Sequence, residues 1–488
     1  MTQKTRIRLT KDSFVRNYKT HGYITNQLIK NDRIFNETGA DFLSQITREP
    51  ETIEIKVNKL LKLYEGVGFD ELCADFIEFA IELEQAGFIL SGNSEQEINS
   101  KEPSFTFIDA EVKTAKKFFS EDFESKGTFE IIYEELIHEH QLTSLTIEVT
   151  KQCNEVCVHC YLPEEDKKNG KFLPLKKLKD IIDEACEMGL LQVTFTGGEP
   201  LLHPDFFEIL RYAREKDLMI SVLSNLTLVT ERHTELFKEI NLNSTQVSLY
   251  SMDGETHDFI TQLSGSFEKT MNAIQLFLKN DIPIAISCPV INKNYHHFKD
   301  VLKWAEENRI SASTDLDLSA QTNYETINLS SATTPEQNKE LLQEMLEEDK
   351  DWQNAIINEY AKGVKTKDNL EQPPCSVGND SMFISCEGIA YPCPSWQSFK
   401  IADLNTMTLK EAWDDKNPKV TELRKIKRKD FLGFVNSPDR EFMNLCMARN
   451  ANNNQGDYMT MDAKSLEIAK MTKELVDEFI IKSKGKII

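Results

Sequence analysis

Short apolar segments alternate with amphipathic segments from residue 144 onward, and this alternation restricts the fold more than any other feature. Six segments are predicted as strands: LTIEV, LQVTFTGG, LMISVLSN, STQVSLYS, IPIAISCPVI and ASTDLDL. The segments between them carry apolar residues at helical spacing. Such alternation predicts a parallel sheet with right-handed crossovers, and the short strands suit a partial α/β barrel. Folds of this kind bind ligands at the C-terminal ends of their strands.

Three cysteines directly follow the first of these strands, within VTKQCNEVCVHCYLPEE. Cys153, Cys157 and Cys160 have the spacing C-x3-C-x2-C. Clustered cysteines in a reducing compartment are more often metal ligands than disulfides. A structural zinc ion takes four protein ligands, whereas three thiolates on an iron–sulfur cubane leave one iron open. The spacing therefore favours a reactive cluster, and a zinc site completed by His159 or a distant residue remains the alternative.

The triplet and three later segments, in this order, resemble the radical SAM superfamily. These segments are FTGGEP (195–200), VLSNLTL (222–228) and VSLYSMDGETHDFI…GSFEKT (247–270). The resemblance implies that the triplet holds a [4Fe–4S] cluster. It further implies a set of residues that contact S-adenosylmethionine: Gly197, Gly198, Glu199, Pro200, Ser224, Asn225 and Ser248.

The resemblance also implies a mechanism. The open iron binds the methionine part of S-adenosylmethionine, and one electron from an external flavodoxin- or ferredoxin-type donor cleaves the carbon–sulfur bond. The resulting 5′-deoxyadenosyl radical takes a hydrogen atom from the substrate, while the protein orients and shields the chemistry. Two positions depart from the family pattern: His159 replaces the usual aromatic residue, and Thr261 stands where an arginine is usual.

The C-terminal cysteines lie in CSVGNDSMFISCEGIAYPC (375–393) and NLCMARN (444–450), which resemble the SPASM extension or its shorter twitch form. The resemblance implies an auxiliary cluster. Its predicted ligands are Cys375, Cys393 and Cys446, with Cys386 as the uncertain fourth. Four cysteines are too few for two clusters, so one auxiliary [4Fe–4S] cluster is expected. Without Cys386 that cluster would keep an open iron, and a structural four-cysteine zinc site is the alternative.

The N-terminal residues 12–92 resemble the PqqD-type leader-recognition element, with three strands followed by three helices. In that family a leader peptide adds a strand to an exposed sheet edge. The stretch HGYITNQLIKNDRIFN would form the hairpin and the edge. An unrelated winged-helix-like module is the alternative.

Charge and hydropathy limit the partners. The formal net charge is −23, from 57 basic and 80 acidic residues, which argues against non-specific binding to nucleic acid or to an anionic membrane. No stretch approaches the roughly 18 apolar residues of a membrane span, and the N-terminus lacks the apolar core of a signal peptide. A cytoplasmic protein is expected.

The expected fold class is α/β: a partial (β/α)6 barrel with a small N-terminal winged-helix-like α+β domain and a C-terminal iron–sulfur extension. The predicted divisions are a PqqD-like peptide-recognition domain (1–92), a linker or bridging region (93–140), the radical SAM barrel (141–320), a helical connector (321–372), and the SPASM/twitch-like domain with a C-terminal helix (373–488).

The expected function is that of a radical SAM maturase, a peptide-modifying oxidoreductase. It would bind a ribosomally synthesised precursor peptide through a leader segment and form a thioether or carbon–carbon crosslink by hydrogen abstraction. A peptide epimerase is the first alternative, with Cys288 as a possible hydrogen donor, although a core cysteine is the commoner use of such a position. A sulfatase-type protein maturase, a small-molecule dehydrogenase and a zinc-bearing binding protein remain open.

Overall fold

The computed structural model describes residues 1–102, 139–348 and 370–484, together with the isolated positions 136, 350, 353, 354, 356 and 357. The chain divides into two compact units, Met1–Gln141 and Leu142–Ile488. Much of the predicted linker (93–140) and part of the predicted connector (321–372) lie outside the described residues.

In its described residues, the first unit combines two three-stranded antiparallel sheets with four helices. One sheet has the order β5-β1-β6 and the other β2-β3-β4. The strands are β1 (Arg6–Leu9), β2 (Ser13–Asn17), β3 (Gly22–Asn26), β4 (Asn31–Phe35), β5 (Glu51–Thr52) and β6 (Ile89–Gly92). The helices are α1 (Glu37–Ser44), α2 (Ile53–Leu60), α3 (Phe69–Gln85) and α4 (Glu95–Ser100).

The beginning of α1 shows how the sequence directs this unit. The Asn36 side chain accepts a hydrogen bond from the Gly39 amide and caps the helix. One turn further on, Phe42 packs edge-on against Phe79 of α3, with ring centroids 5.4 Å apart. The hairpin and helices α1 to α3 were predicted from periodicity, whereas α4 lies in the stretch predicted as a linker. The sheet that contains β1 and β5 was not predicted, because its strands pair across distant parts of the sequence.

The second unit is built on a nine-stranded sheet with the order β12-β11-β10-β9-β8-β7-β13-β14-β15. The strands that match the predicted alternation are β7 (Ser144–Thr150), β8 (Gln192–Gly197), β9 (Met219–Ser224), β10 (Ser244–Ser248), β11 (Ala285–Ser287) and β12 (Ser311–Ser313). Neighbouring strands among these six are all parallel. The predicted α/β fold with a partial barrel is confirmed.

Helices follow these strands in the expected alternation. They are α5 (Glu164–Asn169), α6 (Leu175–Glu187), α7 (Phe206–Glu215), α8 (Glu231–Ile240), α9 (Gly254–Thr261), α10 (Ser266–Lys279), α11 (Phe298–Glu307) and α12 (Pro335–Glu348). Helix α6 is followed by Gly189 at φ +87°, a left-handed conformation that favours glycine and ends the helix. Its apolar face (Leu178, Ile181, Ile182) joins the same buried core as Leu145 and Ile147 of β7.

The C-terminal extension continues the barrel sheet. Strand β13 (Ser381–Ile384) pairs in parallel with β7, with Ser381 opposite Ser144. Strands β14 (Ile389–Tyr391) and β15 (Ala402–Asp403) then add in antiparallel fashion. The remaining helices are α13 (Leu409–Trp413), α14 (Pro418–Lys425), α15 (Leu432–Val435), α16 (Met447–Asn453) and α17 (Ala463–Lys484). The extension is thus joined to the barrel through backbone hydrogen bonds, which the sequence pattern did not predict.

Within the described part of the chain, no helix combines the length and the apolar character needed to cross a membrane.

Candidate iron–sulfur and cofactor site

The cysteine triplet lies on the cluster loop, residues 151–163, which begins directly after β7 at the C-terminal end of the sheet. All three cysteines are partly buried and line one cavity of about 250 Å³. Burial raises the pKa of Cys157 well above its usual value, and the nearby Glu155, Cys160 and Cys153 raise it further. The three thiols are therefore close enough to interact, as ligands of one cofactor must be.

Backbone hydrogen bonds hold the cluster loop on two sides. On one side, Val156 N donates to Thr261 O (3.1 Å) and Val158 N donates to Ile260 O (3.0 Å), both at the end of α9. The Thr261 hydroxyl is buried against Ser266, so this position, where the family usually has arginine, contributes its carbonyl to the loop. The backbone carbonyls at the end of α9 therefore hold the middle of the cluster loop.

On the other side, the glycines that end β8 pack directly against the loop backbone. Gly198 N donates to Thr150 O at 2.8 Å. A Cβ on Gly197 would lie 2.3 Å from Thr150 O, and a Cβ on Gly198 would lie 2.3 Å from Gln152 O. Both glycines also line the cofactor cavity. Glycine is needed at both positions because a side chain would clash with these backbone oxygens. The lack of a side chain also lets a ligand approach the backbone closely.

Five of the seven residues predicted to contact the cofactor share this cavity with the triplet: Gly197, Gly198, Ser224, Asn225 and Ser248. These positions come from the ends of β8, β9 and β10, and parallel strands bring their C-terminal ends to one edge of a sheet. The cradle of small and polar residues fits S-adenosylmethionine beside the triplet.

Glu199 and Pro200 are placed differently and are not among the residues lining the cavity. Glu199 is fully buried, and burial raises its pKa to about 7. Its Oε1 accepts from the Ser224 hydroxyl (2.8 Å) and the Leu201 amide (3.0 Å), while Oε2 accepts from the Asn225 amide (2.8 Å). Pro200 begins a short 3-10 turn. In this structure Glu199 connects the ends of β8 and β9 and positions the cavity wall.

Several cavity residues were missed by the sequence reasoning: Glu155, Lys167, Thr196, Gln246 and Tyr250. The Tyr250 ring packs edge-on against His159 with centroids 5.0 Å apart. Burial lowers the pKa of His159 to about 4, so the imidazole beside the third cysteine is neutral. Glu155 lies between the first two cysteines of the triplet. A carboxylate at that position is the feature of the sequence that could have identified it as a cavity residue.

Three tail cysteines also come together. Burial raises the pKa of Cys375 to about 11 and that of Cys393 to about 12. Cys446 further raises the pKa of both, as expected of neighbouring thiols. Cys375 precedes β13, Cys393 follows β14, and Cys446 is the residue before α16. Three separate elements therefore contribute to this second thiol group.

Cys386 is placed apart from these three. Its amide donates to Glu148 Oε2 at 3.3 Å, and the nearby charged groups that act on its pKa are Glu148, Glu387 and Lys151. The Lys151 ammonium lies 3.2 Å from Glu387, so a positively charged side chain already neutralises this acidic pair. The structure does not bring Cys386 to the other tail thiols. A fourth auxiliary ligand from Cys386 stays a prediction that this placement does not favour.

The spacing of the thiols bears on the zinc alternatives. Among the described residues, the group whose ligand atoms all lie within 4.8 Å of one another is Glu148, Cys386 and Glu387, and neither thiol group qualifies. Tetrahedral zinc with Zn–S bonds of about 2.3 Å draws its sulfur atoms to about 4 Å from one another. A cubane spreads its thiolates more widely because each binds a different iron. Neither thiol group is drawn together to the spacing of a zinc site among the described residues.

The possible hydrogen donor Cys288 lies in the core. Its exposed fraction is 0%, its Sγ is 3.7 Å from the Tyr250 carbonyl oxygen, and burial raises its pKa to about 12. It is not among the residues lining the cofactor cavity. This placement favours the packing role over hydrogen donation.

Two known families match the ranges that contain the two thiol groups. Residues 147–305 match the radical SAM superfamily, and this range contains the triplet and every predicted cofactor residue. Residues 375–446 match SPASM, an iron–sulfur cluster-binding domain, and this range begins and ends on two of the three grouped tail cysteines.

Curated relatives match about a third of the chain. The chain is 32% identical over 160 residues to an AdoMet-dependent heme synthase of Methanosarcina barkeri, which covers 33% of this chain and 46% of that protein. It is 32% identical over 157 residues to the antilisterial bacteriocin subtilosin biosynthesis protein AlbA of Bacillus subtilis, covering 32% of this chain and 35% of that protein. The chain thus spans less than half the length of these two curated relatives.

A similar fold extends over nearly the whole chain. The crystal structure of Streptococcus suis SuiB bound to precursor peptide SuiA superposes with a TM-score of 0.60 at 16% identity, covering 94% of this chain and 99% of that one. The chain therefore has the domain content of a radical SAM enzyme: a radical SAM domain, which binds a [4Fe–4S] cluster and S-adenosylmethionine, followed by a SPASM domain, which binds an auxiliary iron–sulfur cluster.

Proposed function

We propose that this protein matures a ribosomally synthesised precursor peptide and forms a thioether or carbon–carbon crosslink in it. The observation that carries the proposal is a second, wider cavity of about 870 Å³ next to the cofactor cavity. Cys157 and Lys167 line both cavities, so a substrate in the wider one would reach the cluster loop. The fold shared with SuiB, which was crystallised with a precursor peptide, supports the same substrate class.

The wider cavity has the character of a peptide site. Its size is near the upper end of the usual range for small-ligand pockets. Its wall includes the exposed apolar side chains of Phe259 (48% exposed) and Ile327 (72% exposed). Amides such as Gln321 and Asn328 line it as well and offer hydrogen bonds to a peptide backbone.

When bound, S-adenosylmethionine and the reduced cluster supply a 5′-deoxyadenosyl radical, which abstracts hydrogen from the substrate. The residues of this chain hold and shield that chemistry. The end of α9 and the glycines of β8 fix the cluster loop, and Tyr250 with neutral His159 closes part of the cavity wall.

The position of the tail thiols supports crosslinking. Tyr161, next to the third cysteine of the triplet, has its pKa raised by burial and also by the nearby Cys160 and Cys393. The two thiol groups therefore approach the same tyrosine, and an auxiliary cluster there could accept an electron or a substrate thiolate. The epimerase alternative needs a thiol facing the substrate, and Cys288 lines neither of these cavities.

The first unit is proposed as the leader-recognition element of PqqD type. Its β2-β3-β4 sheet has β4 at one edge, and Asn31, Asp32 and Arg33 of that strand are partly exposed. A leader peptide could add a strand to such an edge through main-chain hydrogen bonds. An external flavodoxin- or ferredoxin-type protein would supply the electron.

The test is an anaerobic reaction of the reconstituted protein with S-adenosylmethionine, a reductant and each short peptide encoded beside its gene. The expected result is 5′-deoxyadenosine formation and a peptide that loses about two mass units per crosslink. Epimerisation in heavy water would instead add about one mass unit per centre. The Cys153→Ala variant is the control and should leave every peptide unchanged. If none of these peptides is modified while a non-peptide substrate is, the proposal is wrong.

A further inference from the structure

The strap segment, residues 321–331 between β12 and α12, attaches to the cluster loop through consecutive hydrogen bonds. Four of its residues donate to four successive carbonyl oxygens of that loop, at distances of 3.0 to 3.5 Å. The strap segment also lines the wider cavity, in which a substrate would lie. The four pairs, with the donor first, are Ser331 with Val158, Asn328 with His159, Gln321 with Cys160, and Thr322 with Tyr161.

Asn328 of the strap segment has a buried acceptor without a partner. The residue is 2% exposed, and its Nδ2 donates to His159 O (3.3 Å) and to Ser319 O (2.9 Å). Its Oδ1 is buried and has no hydrogen-bond partner in the described part of the chain. Exchanging the oxygen and nitrogen of the amide would not supply one, because the oxygen would then face two carbonyl oxygens. A buried polar atom without a partner costs free energy, so such atoms usually mark a ligand or a water molecule.

This acceptor distinguishes Asn328 from the rest of the wider cavity. Among the described residues that line the cavity, it is the one with a buried side-chain atom that lacks a partner. An uncharged oxygen in a buried position suits an uncharged N–H, since a cation bound there would be left without a counter-charge. A main-chain amide is the uncharged N–H that a peptide offers along its length.

We propose that Asn328 Oδ1 accepts a hydrogen bond from an N–H of the substrate, and that Asn328 thereby sets the position of the substrate relative to the cluster loop. For a peptide substrate, which rests on the function proposed above, this donor is a main-chain amide. The same side chain then holds the substrate through Oδ1 and the cluster loop through Nδ2. Asn328 is not among the residues lining the cofactor cavity, so the assignment concerns the substrate alone.

A set of substrate peptides, each with one main-chain N–H replaced by N–CH3, tests the assignment. Binding of the fluorescently labelled peptides to the reconstituted protein, with S-adenosylmethionine present, is measured anaerobically by fluorescence anisotropy. One N-methylated position is expected to weaken binding to the wild type about fivefold, the effect of losing one neutral hydrogen bond. In Asn328→Ala the unmodified peptide should bind about fivefold more weakly, and N-methylation at that position should have no further effect.

Ser331→Ala is the matched control. It also removes one side-chain hydrogen bond from the strap segment to the cluster loop, at Val158 O, but it leaves Asn328 Oδ1 in place. In this variant the same N-methylated position should still weaken binding about fivefold. Asn328→Ser is a second variant, used if the alanine variant loads less iron than the wild type. It also lacks the amide oxygen and should give the same result.

Two results would overturn the assignment. If Asn328→Ala binds the unmodified peptide like the wild type, a buried water molecule satisfies Oδ1 and the substrate does not contact it. If every N-methylated position has the same effect in Asn328→Ala as in the wild type, any loss of affinity comes from the altered strap segment.

A failure of the proposed function gives a different result. If the protein modifies a non-peptide substrate instead, that function is wrong, and Asn328→Ala and Ser331→Ala are compared with that substrate as the probe. Weaker binding to Asn328→Ala alone would support the assignment, whereas equal affinities for the two variants would overturn it.

Discussion

The two thiol groups of this protein are built in opposite ways. Cys153, Cys157 and Cys160 lie on one short loop, whereas Cys375, Cys393 and Cys446 come from a loop, the end of a hairpin and the start of a helix. In the first group the spacing along the chain sets which thiols meet. In the second, the folded extension must form before its thiols approach one another. Since bringing distant residues together costs loop-closure entropy, the tail group depends far more on the surrounding fold.

The largest effect is expected when the cysteine triplet is removed. The triple variant Cys153→Ala, Cys157→Ala, Cys160→Ala should abolish cleavage of S-adenosylmethionine and reduce iron from roughly eight to about four per chain. The measurement is iron and sulfide content after anaerobic purification, together with 5′-deoxyadenosine formation. About four irons would remain because the tail thiols belong to a separate part of the fold. Complete loss of iron would contradict the independence of the two groups.

The next largest effect is expected from single substitutions that distinguish the roles of the tail cysteines. Cys393→Ser should remove the auxiliary cluster and about four irons. Cys386→Ser should keep wild-type iron, because its thiol lies beside Glu148 and Glu387 rather than with the other three. Iron analysis and the visible absorption spectrum of both variants check this. An equal loss in the two variants would make Cys386 a ligand after all and would require the β13–β14 turn to rearrange when the cluster binds.

A smaller effect concerns the packing that supports the local group. Gly198→Ala should destabilise the protein by about 2 kcal/mol and lower iron incorporation, because its Cβ would lie 2.3 Å from Gln152 O of the cluster loop. Thermal unfolding and iron content measure the two consequences.

Gly68 offers a matched control for that substitution. A Cβ there meets nothing within 4 Å and its φ is −75°, so Gly68→Ala should cost less than about 1 kcal/mol. Similar losses in the two variants would show that contact with the cluster loop is not what requires glycine at 198.

The smallest expected effect is a pH dependence in the helix that holds the cluster loop. His257 of α9 is 1% exposed, accepts from the Tyr250 amide at 3.3 Å, and has its pKa lowered to about 4 by burial, against a smaller opposing effect of Asp258. The unfolded chain binds a proton at this side chain below pH about 6.5, whereas the folded chain does so only near pH 4. Stability should therefore fall as the pH falls through this window, by about 1 kcal/mol at pH 5.5.

Thermal midpoints at pH 7.5 and 5.5 measure this contribution. His257→Gln should show a smaller drop between the two pH values than the wild type, since it has no imidazole to protonate. His296→Gln, at an exposed position, should keep the wild-type drop. If His257→Gln and the wild type lose stability equally, other groups cause the pH dependence.

The contrast between local and distant determinants also explains what the sequence could predict. The barrel strands, most of the helices between them and the triplet were predicted because each depends on a short periodic or spaced pattern. Five of the seven predicted cofactor residues line one cavity for the same reason, as they lie at the ends of successive parallel strands. Glu199 and Pro200 share their motif with the glycines but do not line it, and the side chain of Glu199 turns to the amides of Leu201 and Asn225. Their contact with the cofactor stays a prediction.

Features that depend on side-chain direction or on distant pairing were missed. Glu155 and Lys167 look like ordinary surface residues in the sequence, and only the folded loop buries them in one cavity. Cys386 was grouped with its neighbours along the chain, although the pairing of β13 with β7 carries it to Glu148. Helix α9 was not predicted, because its eight residues are too few to establish a clear period.

The pairing of β13 with β7 has a consequence for any attempt to shorten this protein. Strand β7 leads directly into the cluster loop, and β13 covers its edge through a parallel register from Ser381 to Ile384. A barrel truncated before residue 373 would expose the backbone amides and carbonyls of that edge, and bare edges recruit strands from other molecules. A truncated barrel would thus tend to aggregate before its chemistry could be assayed, and a chimera with a tail from another protein would have to retain this one strand.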